Sequence, residues 1–173
     1  MNWCNVSSKP TREMAVRVDV QFAIEDESIP AADEIALWIG RAFEAAGDSA
    51  NADVSVRVVG VDEMRDLNKE FREQDKSTNV LSFPAGDIAG LPSDAERPLG
   101  DIVVCAGVVS DEADRQHKSL HDHWAHMLIH GTLHLLGFDH VCEAEAVEME
   151  GLEVRILTEH GIANPYAESL QQN

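Results

Sequence analysis

Val16, Val18, Val20 and Phe22 alternate with Arg17, Asp19 and Gln21, a period of two that predicts a half-buried first strand. After Pro30 the period lengthens. Ile35, Leu37, Trp38, Ile39, Ala42, Phe43 and Ala46 thicken one side of a helical wheel that Gly47 stops. Val54, Val56 and Val58 return to alternation as far as Gly60, after which Asp62 is placed to cap a helix with Met64, Leu67 and Phe71 on one face. Asn79 to Phe83, closed by Pro84, predicts a short buried strand, and Leu99 to Ala106, rich in isoleucine and valine, predicts another. The loop between them, Ala85 to Pro98, is long enough to be a mobile flap beside a site.

From Asp111 the pattern is helical: one segment to about Lys118, a second from Leu120 to Leu136, a third from Glu143 to about His160. Ser119 and Asp122 occupy capping-box positions before the second, where hydroxyl and carboxylate can each take an unpaired backbone donor. Trp124, Met127, Leu128, Ile129, Leu133, Leu135 and Leu136 fill most of its circumference, so this helix is expected to be buried on several sides. The pattern predicts one α+β domain over residues 15–165, a small mixed sheet packed by helices around that central helix. Residues 1–14 lack periodicity and read as an extension, and 166–173 as a tail.

Composition narrows the function. Thirty-two acids against thirteen bases leave a formal charge of -19, which repels polyanions at long range, so any nucleic-acid reading must rest on local residues. Cys4, Cys105 and Cys142 are odd in number and lack a CxxC spacing, which speaks against a disulfide framework or a four-cysteine metal site and suits a reducing cytoplasm. No apolar run approaches the roughly 20 residues that span a bilayer, and the opening residues lack a secretory apolar stretch, so a cytoplasmic protein without a membrane partner is expected.

Seven of the eight histidines lie between His117 and His140. His130 and His134 are one helical turn apart, and Gly137 can take the left-handed conformation that ends a helix and returns His140 towards them. The resulting HxxxHxxGxxH predicts one transition-metal ion per chain, with Zn²⁺ favoured by the imidazole ligands and a fourth position open for water, as in catalytic sites. His126 precedes His130 by a turn but stands two turns, about 12 Å, from His134, too far to share one ion easily. His117 and His121 are separated by the cap at Ser119 and read as exposed, Cys142 as a small buried residue. Asp139 is a candidate to orient a ligand or act as base, or else a turn residue bonding to backbone.

The spacing equals that of metzincin proteases, but Gly131 stands where they carry the general-base glutamate. Instead, HGTLHLLGFDH from His130 to His140, LNKEFREQDKSTNVLSFP from Leu67 to Pro84, LGDI from Leu99 to Ile102 and the later MEGLEVRIL together resemble the YbeY-type endoribonucleases over roughly residues 60 to 157. Phe71 and Ser77 replace a common tyrosine and proline of that family, and the first 14 residues have no counterpart in it. The resemblance implies a metal-dependent endonuclease for single-stranded RNA, working in ribosomal RNA maturation at the small-subunit RNA's 3′ end and in ribosome quality control, with the ribosome or its small subunit as partner. It also places the site arginine at Arg72, whose planar guanidinium suits phosphate, although a surface ion pair explains an arginine there too. Arg65, Lys69, Arg72 and Lys76 follow helical steps and form either a basic stripe or a solvated face. The base stays open between Asp139, a metal hydroxide and attack by the RNA 2′-hydroxyl. The other functions considered are a zinc-dependent peptidase or amidase, and a non-catalytic ribosome-assembly factor with a structural zinc. The site is expected in a cleft near Leu81 to Gly90.

Overall fold

The computed structural model describes residues 16–48, 51–92 and 95–167. Among these, four strands and five helices follow the order β1 (Val16–Phe22), α1 (Ala32–Ala45), β2 (Ala52–Val59), α2 (Val61–Arg72), β3 (Val80–Pro84), β4 (Arg97–Cys105), α3 (Ala106–Arg115), α4 (Leu120–Leu135) and α5 (Glu143–Glu159). The sheet runs β1-β2-β4-β3. β1, β2 and β4 are parallel, while β3 folds back antiparallel on β4 and leaves its other side as a sheet edge. The expected small mixed sheet with helical packing is therefore present.

Alternation sorts the two sheet faces. Val16, Val54, Val56, Val58, Ile102, Val104 and Val80 point into the main core, where they meet Ile35, Ile39 and Phe43 of α1 and Trp124, Leu128 and Leu133 of α4. Leu81, Val103 and Cys105 point the other way, into a smaller cluster with Met64 of α2. The rest of that second face is polar, as in the Arg17–Asp53 pair at 2.7 Å, so a single helix is enough to cover its apolar part.

Several boundaries differ from the sequence expectation. α2 begins at Val61 with Gly60 as its N-cap, so Asp62 lies inside the first turn, where its charge favours the helix dipole but its side chain caps nothing. Ser119 does cap α4, accepting the Asp122 N–H at 3.1 Å, whereas the Asp122 carboxylate faces His121 at 3.0 Å instead of returning the bond. β4 starts two residues early and α3 starts at Ala106, not Asp111. An apolar run such as Val103 to Val109 is too short for its period to separate strand from helix. Phe22, Leu37 and Phe71 are exposed, although all three were assigned to apolar faces. No helix among the described residues is long and apolar enough to cross a membrane.

Candidate metal centre

α4 ends in the geometry its glycine predicts. Gly137 has φ 93°, its N–H bonds the His134 carbonyl at 3.1 Å, and the Phe138 N–H bonds the Leu133 carbonyl at 3.0 Å. These two bonds form the Schellman stop, and Phe138 drops back onto the main core, which secures the reversal. The chain then carries His140 towards the helix. The ligand nitrogens of His130, His134 and His140 lie within 4.8 Å of one another, and no fourth metal-holding side chain joins them among the described residues.

The donor set fits a tetrahedral ion. Zinc–imidazole bonds of about 2.0–2.1 Å put neighbouring nitrogens about 3.3 Å apart, and the Nε2 atoms of His130 and His134 face each other at 3.1 Å. Both rings are half-buried while His140 is exposed, so the convergence point opens to the surface. Burial and the neighbouring imidazoles His130 and His140 hold the His134 pKa below the usual histidine range, which keeps it neutral and able to ligate.

The other nitrogen of His130 is already taken. Its Nδ1 lies 2.7 Å from Oε1 of Glu153 on α5, a carboxylate with no exposed surface. Glu153 also meets Nε2 of His126 at 3.0 Å and accepts the Tyr166 hydroxyl. Burial alone would raise the Glu153 carboxyl, but the hydrogen bonds from His126 and His130 outweigh it and hold it at about 2. His126 thereby faces α5 and stands outside the histidine cluster. Glu153 was missed from the sequence, although a signal existed: it sits on the buried stripe of α5 between Met149 and Ile156, where an apolar residue belongs. Tyr166, assigned to the tail, is likewise part of the packed structure.

Gly131 explains why this spacing carries no protease glutamate. A Cβ at that position would lie 3.2 Å from Ile102, Ser82 and Val80, because α4 presses directly on β3. Position 131 is thus a close approach of helix to sheet, where any side chain would have to displace its neighbours.

The remaining candidates separate clearly. Asp139 accepts the His140 N–H at 2.7 Å and stands 3.6 Å from the His140 ring, so its carboxylate shapes the turn that presents the third histidine. Cys142 is exposed and outside the histidine cluster, which corrects its expected burial: it is the N-cap of α5. His121 is exposed as expected, between Glu34 and Asp122. Of the basic stripe, Arg65 and Lys69 are both tied to Asp75, at 2.6 and 3.2 Å. Arg72, the last residue of α2, is exposed and makes no ion pair among the described residues. Beside it, the exposed Phe71 meets Phe83 of β3 edge-on, with ring centroids 5.1 Å apart.

The family profile described as endoribonuclease YbeY matches residues 19–161. The endoribonuclease YbeY of Cellvibrio japonicus is 49% identical over 88% of this chain and 84% of its own, and that of Halorhodospira halophila 50% over 82% and 90%. The Colwellia psychrerythraea protein of the same name is 43% identical over 90% of this chain and 99% of its own. The solution structure of TM1509 from Thermotoga maritima shares the fold at a TM-score of 0.53 and 23% identity, covering 83% of this chain and 91% of that one.

Proposed function

The chain belongs to the endoribonuclease YbeY family, and from that premise we propose that it is a zinc-dependent hydrolase that cuts single-stranded RNA, with ribosomal RNA of the small subunit as substrate. The observation that carries the zinc reading is the convergence of three neutral-capable imidazoles at a surface point, one of them with its second nitrogen already committed to a carboxylate. Three protein ligands and an open fourth side are the arrangement of catalytic rather than structural zinc. When bound, the ion supplies Lewis acidity at a phosphoryl oxygen and makes water acidic enough to attack near neutral pH.

His130, His134 and His140 hold that ion, with the first two set on a rigid helix and the third on the turn that Asp139 shapes. Arg72 takes the phosphate: it is exposed and has no competing carboxylate among the described residues, and its fork matches two phosphate oxygens. The Phe71 and Phe83 rings next to it offer a face on which an unpaired base can stack, which favours single strands over duplex. Asp139 is assigned the proton acceptor's place, since its exposed carboxylate stands beside the third ligand. At a formal charge of -19 the protein gains nothing from long-range attraction to RNA, so binding rests on local contacts such as that of Arg72.

The peptidase reading is disfavoured by the close packing at Gly131. A structural zinc would require a closed fourth position. The test is cleavage of a defined single-stranded RNA by purified protein of known metal content, comparing wild type, His134→Ala and Arg72→Ala. One zinc per chain in wild type, with cutting lost in His134→Ala and strongly weakened in Arg72→Ala, and metal lost only from His134→Ala, is the expected result. Equal cutting by all three would remove the nuclease site from these residues.

A further inference from the structure

Glu153 occupies a place on α5 that packing would give to a hydrophobic residue. It is fully buried, one turn after Met149 and one turn before Ile156 and Leu157. Taking a carboxylate out of water is costly, and a buried ionic group is not in general a source of stability that an apolar residue could not match. What Glu153 touches gives the reason for its presence. One oxygen serves His130, and the other serves His126 and Tyr166.

We propose that Glu153 is a positioning residue for the metal centre, held in its turn by His126 and Tyr166, so that affinity for the ion depends on docking of the C-terminal segment around Tyr166. The proposal rests on the zinc-site reading above. An imidazole bonded to a carboxylate through Nδ1 carries its proton there, which leaves the Nε2 lone pair for the ion, fixes the ring plane and strengthens the ligand. That Nε2 is the atom facing His134 at 3.1 Å.

The far side of the carboxylate is equally constrained. The Nδ1 of His126 is buried with no hydrogen-bond partner among the described residues, so the ring proton belongs on Nε2, the nitrogen facing Glu153. Tyr166 closes the arrangement from the chain's C-terminal side: its hydroxyl donates to Glu153 and its ring stands edge-on to His126 at 5.5 Å. The segment that brings it there is pinned by Lys118, whose Nζ donates to the Pro165 carbonyl at 2.8 Å, and by Asn164, whose side chain accepts the Tyr166 N–H at 2.8 Å. A residue 13 positions beyond Glu153 thus holds the group that holds a ligand.

The experiment measures the Zn²⁺ dissociation constant by competition with a chromophoric chelator, and the visible spectrum of the Co²⁺-loaded protein. It compares full-length wild type, Glu153→Gln, Tyr166→Phe and His134→Ala, with melting of each apoprotein recorded alongside. Glu153→Gln keeps the shape and should weaken binding about 10–100-fold and shift the cobalt bands. Tyr166→Phe should weaken it in the same direction by a smaller factor. A merely structural role would lower the apoprotein melting temperature and leave both metal readouts unchanged. If wild type binds one zinc, His134→Ala loses it and Glu153→Gln behaves as wild type, the proposal is overturned while the metal site stands. If wild type binds no zinc, both fall. Should Glu153→Gln fail to fold, Tyr166→Phe decides, since it removes only a hydroxyl: an unchanged dissociation constant overturns the proposal.

Discussion

Ser82 of the edge strand donates its Oγ hydrogen to the main-chain carbonyl of Gly131 at 3.0 Å, fastening β3 to the helical turn between the first two histidines of the cluster. With neighbouring side chains 3.2 Å from where a Cβ at 131 would sit, Gly131→Glu must push helix and sheet apart. Overpacking of this kind costs about 1–3 kcal/mol. The variant should show a lowered urea midpoint and no peptide hydrolysis; an equally stable variant that cleaves peptides would return the protease reading to contention.

Removal of metal should act on stability and activity together. Stripping wild type with a chelator is expected to abolish RNA cleavage and lower the melting temperature, with zinc restoring both. A ligand present at 1,000 times its dissociation constant stabilises by about 4 kcal/mol. His134→Ala should melt at the same temperature with or without zinc, and a zinc-dependent shift in that variant would place the ion elsewhere.

For Arg72→Ala, loss of a charge-assisted phosphate contact worth about 1.5–3 kcal/mol corresponds to roughly 10–100-fold in kcat/KM, with zinc content unchanged. Arg72→Lys should recover only part, because an ammonium cannot grip two oxygens in one plane. Steady-state kinetics on a short RNA would show it. Full activity in Arg72→Ala would move the phosphate contact to another residue.

Phe71→Ala tests the stacking face. Base stacking on an aromatic ring is worth about 1–3 kcal/mol, so the variant should bind a single-stranded RNA roughly 5–150-fold more weakly, with little change in melting temperature because the ring is 58% exposed. A filter-binding titration with catalytically inactive protein would measure this; unchanged affinity would exclude the ring from the substrate path.

Acid should destabilise the apoprotein in two steps. Burial holds the His126 imidazole below its ordinary 6.5, against the pull of Glu153. Its contribution is complete above 6.5 and declines as pH falls, because the unfolded chain takes up the proton first. For Glu112, burial would raise the carboxyl, but hydrogen bonds from His123 and Asn79 prevail and hold it below 4.5. That contribution is complete above 4.5 and is lost as pH falls through the lower folded value. Melting temperature should therefore be flat above about pH 7, decline from about 6.5 and fall further below about 4.5. His126→Gln should shrink the upper step and leave the part contributed by His134, which burial also holds below 6.5; a variant with an undiminished step would assign it wholly to other groups.

Much of this protein is local enough to be written in its sequence. The period of two in Val16 to Phe22 and Val54 to Val58 gives strands, because alternate side chains point to opposite faces. The helix pair His130 and His134, the stop at Gly137 and the return of His140 all lie within eleven consecutive residues, so 3.6-residue geometry and one left-handed turn suffice to assemble the cluster. Boundaries were less legible where one apolar run serves two elements, as at Cys105 and Ala106.

Contacts between distant segments were decided only by the tertiary structure. Glu153 reaches His130 across 23 positions, and Tyr166 reaches Glu153 across 13, distances at which no periodicity constrains what meets what. The fate of the basic stripe depended on Asp75 folding back over Arg65 and Lys69, which leaves Arg72 as the cation at the end of α2 without an acidic partner among the described residues. The meaning of Gly131 depended on how closely β3 approaches α4. Sequence fixes the chemistry a side chain carries and the turn it sits on; packing across the chain fixes which of its atoms are already engaged, and that determines what remains free to bind an ion or a phosphate.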